Sequence, residues 1–304
     1  MQRFLDHIVI LVPHSTLQAL PPFLADALTV IDGGVHAGGE TENKLILFRD
    51  GTYIELIAFV DGLDPEKRKA HRWGDRAEGT IVDWALTLLG EQQSTDEEFS
   101  RIQQLVRQSG TGIKYTDLLD GGRTRPDGAV LKWVTSMAVE ASSDGGDLTT
   151  TPLGAGELPF WCLDRTPRPL RVPPPDEHNS VHPAGAIGVA AVTIQVPDPA
   201  HETRTSAVYE AVLAETESPP TAPSNSGNRS QSWRLQAPYD TGSGVRREVR
   251  LESSPRGTNG PDRVHIALTL YTEKKEGVIS GSLVDGRRLD IELRALTSQA
   301  QSGS

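Results

Sequence analysis

The stretch LDHIVILVP at residues 5–13 comes back, 184 residues later, as VAAVTIQVP at 189–197. Each is an aliphatic, β-branched run closed by Val-Pro, which reads as a strand that a proline stops. Each is followed by a helix signal. Ser15 and Thr16 are candidate N-caps for a segment reaching about Ala27, split by the prolines at 21 and 22, and a second helix is expected from about His201 to Glu215. Strand patterns come next in both halves. TVIDGG runs into a glycine-rich turn, and KLILFRDGTYIELIAFV (44–60) is two apolar runs joined by RDG, a hairpin signal. In the other half WRLQAPYD, VRREVRLESS and DRVHIALTLYT are strand candidates, with DGRRLDIELRAL as an added edge strand. Both halves therefore read β, α, β, β, β. A chain that repeats this order is constrained to an α+β architecture of paired units.

Between the repeats, Ile81, Trp84, Ala85 and Leu88 recur at helical spacing, so a helix ending near Gly90 is expected. A second helix carries a capping-box pattern at Ser94–Glu97 and a terminal Gly110. GGRTRPDGAVLKWVTSMAVE predicts a turn and a long strand, residues 142–157 a mobile loop, LPFWCLDRTPRP a short strand, and LRVPPPDEHNSVHPAGA an extended linker. Residues 216–232 read as a further loop. The expected division is 1–183, 184–296 and a disordered tail at 297–304.

Charge and cysteine usage narrow the partners. A net charge of −11 disfavours a phosphate backbone, so nucleic acid is not expected. No run of about 18 apolar residues exists, so neither is a membrane span. The first residues lack a small-residue cleavage site and make a poor signal peptide. One cysteine, Cys162, excludes an internal disulfide, and beside Trp161 and Leu163 it reads as a small buried hydrophobe. A cytoplasmic protein, monomer or homodimer, is the expectation. GGVHAGG lacks the spacing and helix of a phosphate loop, so no nucleotide cofactor is expected.

Several stretches together carry a resemblance: LDHIVILVP (5–13), GGVHAGGETEN (33–43), GTYIELIAF (51–59), HRWGDRAEGTIVDWAL (71–86), RTRPDGAVLKW (123–133), LPFW (158–161) and the His-Pro at 182–183. They resemble the glyoxalase-like domain family (Glyoxalase_3 type) of the vicinal oxygen chelate superfamily. The resemblance implies paired βαβββ modules forming curled mixed sheets around a cavity. It further implies a divalent metal in many members, with ligands on the first and last strands of a module.

On that implication His7 and Glu55 take the two ligand places, and an imidazole with a carboxylate suits Fe, Mn, Ni or Zn. The residues alone leave a polar pair open: Glu55 shares a strand face with Tyr53 and Ile57, and a carboxylate among aliphatics needs a partner. In the second half the repeat sets Ala191 opposite His7, with Glu248 or Glu252 near the place of Glu55. A symmetric glyoxalase I centre is therefore not expected. His36, in a glycine-rich segment, is the best further candidate, and His71 reads as an exposed turn with a capping role. Without a metal, His7 and Glu55 form an acid–base pair, with Asn43 and Thr41 hydrogen-bonding a substrate carbonyl. Trp73, Trp84, Trp133 and Trp161 are candidate pocket walls, each against a core role. Arg125 is a candidate carboxylate clamp, against a local pair with Asp127. Asp6, expected on the opposite face from His7, and His14, beyond Pro13, read as incidental.

The function expected is a lyase or isomerase on a small oxygenated metabolite. The alternatives are a metal-free small-molecule binding protein of the same fold and a dimerisation domain with a degenerate site.

Overall fold

A computed structural model gives the fold and describes residues 1–125, 127–142, 149–213, 231–239, 245–253 and 264–296. Pro126, residues 143–148 and 216–230 of the segments read as loops, and the tail 297–304 lie outside the described residues.

In chain order the protein forms β1 (Arg3–Leu11), α1 (His14–Gln18), α2 (Pro22–Ala25), β2 (Ile31–Val35), β3 (Thr41–Leu47) and β4 (Tyr53–Phe59). Then follow α3 (Pro65–Ala70), β5 (Thr80–Leu88), α4 (Gln92–Gln108), β6 (Ile113–Tyr115), β7 (Leu119–Thr124), β8 (Val130–Ser136), β9 (Ala138–Ser142), β10 (Thr149–Pro152), β11 (Phe160–Asp164) and α5 (Arg168–Arg171). The remainder is β12 (Ala186–Val196), α6 (Pro199–Leu213), β13 (Gln231–Leu235), β14 (Arg247–Ser253), β15 (His265–Thr272), β16 (Gly277–Val284) and β17 (Arg287–Ala295).

β1 through β4 together with β5, β7, β8 and β11 build one eight-stranded sheet, ordered β2-β3-β4-β1-β5-β11-β8-β7. Two βαβββ units meet in it. In the first, β1 lies parallel to β4; in the second, β5 lies parallel to β11 and α4 is the helix, with β6, β9 and β10 set aside as a small separate sheet. The two units join through antiparallel β1 and β5. The sheet curls until its edges meet. His36, just past β2, bridges Arg123 of β7, and the Ala37 amide donates to the Gly122 carbonyl at 2.9 Å. A nearly closed barrel results, and its interior is the cavity.

The partner of the first unit is thus residues 80–164, not the second half of the chain. The helix expected over Ile81–Leu88 is strand β5. Its residues after Thr80 are all buried, because β5 is central in the sheet and covered on both faces. A strand buried on both sides shows no alternation, and its apolar residues can fall on a helical spacing by accident. α4 begins at Gln92 with Glu91 as N-cap and no capping side chain, so Ser94 sits inside the first turn rather than at a capping box.

The second half forms a six-stranded sheet, β13-β14-β12-β15-β17-β16, with β12 parallel to β14 and β15 parallel to β17. β17, expected at the edge, lies inside; the edge is β16, GVISGSLV, whose two glycines and two serines weaken its strand signal. One hydrophobic core runs from Leu5 and Ile8 through Trp84, Trp161 and Tyr209 to Ile291, binding both sheets. Buried Asp50 accepts from Arg247 at 2.9 Å across them.

The proline-rich segment between the sheets is tied down rather than loose. Its His182 accepts from the Thr29 amide through Nδ1 (3.0 Å) and donates from Nε2 to the Leu47 carbonyl (2.9 Å). Accepting at one nitrogen fixes the ring neutral, and burial lowers its pKa from the usual 6.5 to about 4. The unfolded chain then binds the extra proton between pH 6.5 and 4, so stability falls as the pH drops through that window. Urea unfolding of the wild type between pH 7 and 4 will show this loss, and His182→Gln will flatten it.

Candidate functional site

The barrel encloses a cavity of about 300 Å³ whose wall includes His7, His36, Asn43, Tyr53, Glu55, Trp73, Arg123, Trp133, Phe160 and Arg171. Glu55, on β4 and buried, is at its centre. Its Oε2 lies 3.7 Å from His7 Nε2, and its Oε1 lies 3.6 Å from His36 Nε2. Asn43 on β3 donates from Nδ2 to Oε1 at 2.5 Å. Asn43 reaches this place because residue 33 is glycine: a Cβ there would stand 1.9 Å from Asn43 Oδ1.

Both rings are held from behind. Nδ1 of His7 is 2.8 Å from Asp6 Oδ2, so the carboxylate accepts a hydrogen bond from Nδ1–H and turns Nε2 toward Glu55. His7 also stacks on Tyr53 (4.6 Å, 16°) and meets Phe160 edge-on. His36 Nδ1 is 2.7 Å from Thr41 Oγ1, and its ring abuts Trp133. Burial lowers the His36 pKa, Arg123 and His7 add to the effect, and Glu55 opposes it.

Asp6 is not incidental. β1 carries an extra residue between Leu5 and His7 relative to β5, a bulge at Asp6. A bulge breaks the alternation of faces, so Asp6 and His7 share a side. Asp6 is fully buried and accepts from Arg171 Nη1 (2.8 Å) and Arg168 Nη1 (2.6 Å), both on α5. Burial alone would raise the Asp6 carboxyl; the two guanidinium groups and the His7 hydrogen bond overcome it and hold it well below the usual carboxylate range. Arg171 also donates to Tyr53 Oη (2.7 Å) and to Asp164 (2.6 and 2.9 Å). The signal for this cluster was present: a charged residue inside a buried strand needs a counter-charge, and Arg-x-x-Arg follows Pro167.

The register shows what stands opposite His7. His7 pairs Ala85 and Val9 pairs Asp83, and β5 has its own bulge at Val82. The two-fold relation between the strands carries Asp6 to Val82 (82 − 6 = 76) and His7 to Asp83 (83 − 7 = 76). Val9 pairs Glu55, while its counterpart Ala85 pairs Phe160. The second unit thus offers Asp83 and Phe160 at the places of His7 and Glu55. Asp83 is turned to Trp73 Nε1 (2.8 Å) and Arg72 Nη2 (2.5 Å). In the other sheet Thr193 pairs Arg250, so neither Glu248 nor Glu252 matches Glu55.

Not every expected wall residue reaches the cavity. Trp73 and Trp133 line it. Trp84 and Trp161 are corrected to core residues: Trp84 packs on Tyr209 and donates to the Gly156 carbonyl, and Trp161 packs on Phe99 and Tyr115. Arg125, just past the end of β7, pairs with Asp127 at 2.5 Å and with the Leu170 carbonyl, outside the cavity. Arg123, two residues earlier, takes the inner place. His71 is half-buried in the wall against Phe59 and Trp73 rather than exposed. Cys162 is buried, and burial pushes its thiol up, away from reactivity.

The family model described as "Glyoxalase-like domain" matches residues 5–213, more than half of the chain. The chain belongs to the glyoxalase-like domain family. A hypothetical protein from Staphylococcus aureus has a crystal structure that overlaps 97% of this chain and 100% of its own, with a TM-score of 0.59 and 12% identity. A 2,3-dioxygenase from Pseudomonas sp. KL28 overlaps 97% and 94% at a TM-score of 0.46 and 10% identity. A catechol 2,3-dioxygenase overlaps 98% and 90% at 0.42 and 9%. No curated protein matches the sequence. The fold is that of the glyoxalase-like domain, and no helix among the described residues is long and apolar enough to cross a membrane.

Removing one partner of a buried ion cluster strands the others, which costs about 3–5 kcal/mol. Arg171→Met will therefore destabilise the protein by about that much in urea unfolding, and Asp6→Asn will lose less because the two guanidinium groups keep Asp164.

Proposed function

We propose that this glyoxalase-like cavity is the reaction site of a lyase or isomerase acting on a small oxygenated metabolite, built on His7, Glu55 and His36. One observation carries the reading: a buried carboxylate stands between two imidazole Nε2 atoms at 3.6–3.7 Å. The gaps exceed a hydrogen bond, yet a buried negative charge facing ring lone pairs requires positive charge among them. That charge is a transferable proton or a divalent cation.

The donor set suits a cation. Two imidazoles and one carboxylate match Fe, Mn, Ni or Zn, and both rings are anchored at their far nitrogens, as metal-ligating histidines are. Among the described residues no three His, Cys, Asp or Glu side chains are drawn together as a formed metal site. His7, Glu55 and His36 would hold the ion, which when bound would stabilise a developing oxyanion as a Lewis acid.

The chain's own groups divide the remaining work. Asp6 fixes His7 with its proton on Nδ1, leaving Nε2 as a base or ligand. Asn43 occupies Glu55 Oε1, which leaves Oε2 to accept a proton from a substrate carbon or hydroxyl. Trp73, Trp133 and Phe160 exclude water and strengthen these interactions. The paired centre of glyoxalase I is not supported, since Asp83 and Phe160 stand where a second histidine and glutamate would be needed. A metal-free binding protein is the second reading, favoured by the Asn43 bond that already satisfies one oxygen of Glu55.

Protein purified without chelators is expected to hold a divalent ion by elemental analysis that His7→Ala and Glu55→Gln lose. Equal metal in wild type and variants sinks the metal reading. A methylglyoxal–glutathione hemithioacetal assay is expected to show no turnover, and robust activity there would overturn the argument from Asp83 and Phe160.

A further inference from the structure

Arg72, Arg123 and Arg171 line the cavity, Arg168 joins Arg171 on Asp6, and all but Arg123 are neutralised. Arg171 and Arg168 hold Asp6 and Asp164, and Arg72 holds Asp83. Arg123 differs. It is 5% exposed, forms part of the cavity wall, and makes no ion pair with any described residue. Its Nη1 is buried without a hydrogen-bond partner. Glu55 is close enough to be felt electrostatically, yet it spends Oε1 on Asn43 and does not pair with Arg123.

An unpartnered guanidinium in a buried place costs several kcal/mol by general desolvation arguments, so such a group is retained for a ligand. We infer that Arg123 binds the carboxylate of the substrate, so that the metabolite is a small oxygenated carboxylic acid. A planar guanidinium fork matches a carboxylate with two parallel hydrogen bonds. The charge favours a monoanion: one free guanidinium stands against Glu55 in the same cavity, and a phosphate dianion would leave a surplus of negative charge there. The inference deepens the proposed function and rests on it for the identity of the reaction site.

The probes are acetate, pyruvate, lactate and benzoate, with methyl pyruvate and methyl lactate as neutral controls and inorganic phosphate as the competing anion. Trp73 and Trp133 in the wall make tryptophan fluorescence a direct readout, with calorimetry beside it. At least one acid is expected to bind the wild type at least 10-fold more tightly than its ester or, for the other acids, than methyl pyruvate. Arg123→Gln is expected to abolish that preference, and Arg123→Lys to retain part of it, with circular dichroism confirming that each variant is folded. No binding of any acid, tighter binding of phosphate, or a preference unchanged in folded Arg123→Gln would overturn the inference. Arg123-dependent binding with no turnover of any bound acid would instead count against the lyase or isomerase reading and leave the carboxylate site standing.

Discussion

A carboxylate with no solvent exposure must be neutralised where it stands, and at Asp6 that requirement organises the first half of the protein. The bulge in β1 turns Asp6 to the same side as His7. Two guanidinium groups from α5 then have to come to it, which brings the segment after β11 back against the first strand. The same Arg171 reaches Tyr53 and Asp164, so β1, β4 and β11 are locked at one point. His7 receives its orientation as a consequence: Asp6 takes Nδ1, Tyr53 supports the ring face, and Nε2 is left for the cavity.

Sheet closure supplies the other half of the site. His36 and Arg123 belong to opposite edges of the eight-stranded sheet and come together only because the edges meet at their bridge. The seam places one imidazole opposite Glu55 and one unpaired cation beside it. Closing the sheet satisfies backbone groups that an open edge would expose, and it creates an enclosed space in which charges interact strongly. The large core shared by the two sheets holds this barrel in shape, while the second sheet contributes none of the residues around the cavity.

Much of the local structure was legible because it follows from neighbours in the chain. The strand ending at Pro13, the hairpin at RDG and the helix ending before Gly110 are fixed by composition and turn chemistry. His7 and Glu55 were legible as a pair, since polar groups in buried strands stand out against their surroundings. β5 was misread because burial on both faces erases the alternation that marks a strand. Arg125 reads as the candidate clamp from its turn, while Arg123, two residues earlier on β7, gives no separate signal in the sequence. Trp84 and Trp161 were indistinguishable from Trp73 and Trp133, since a tryptophan beside a cavity and one in a core have the same local sequence.

The sequence by itself determined the type of fold, the repeated unit, and the presence of a histidine and a glutamate on two strands that such units bring side by side. Those properties depend on periodicity, stop signals and residue chemistry within short windows. Only the tertiary structure decided which units pair, that Asp83 and Phe160 rather than Ala191 stand opposite the site, that Asp6 lies on the same side as His7 and backs its ring, and that Arg123 is left without a counter-charge among the described residues. Each of these depends on register between strands distant in the chain. A bulge of one residue is enough to exchange the faces of a strand, and no short window of sequence records it.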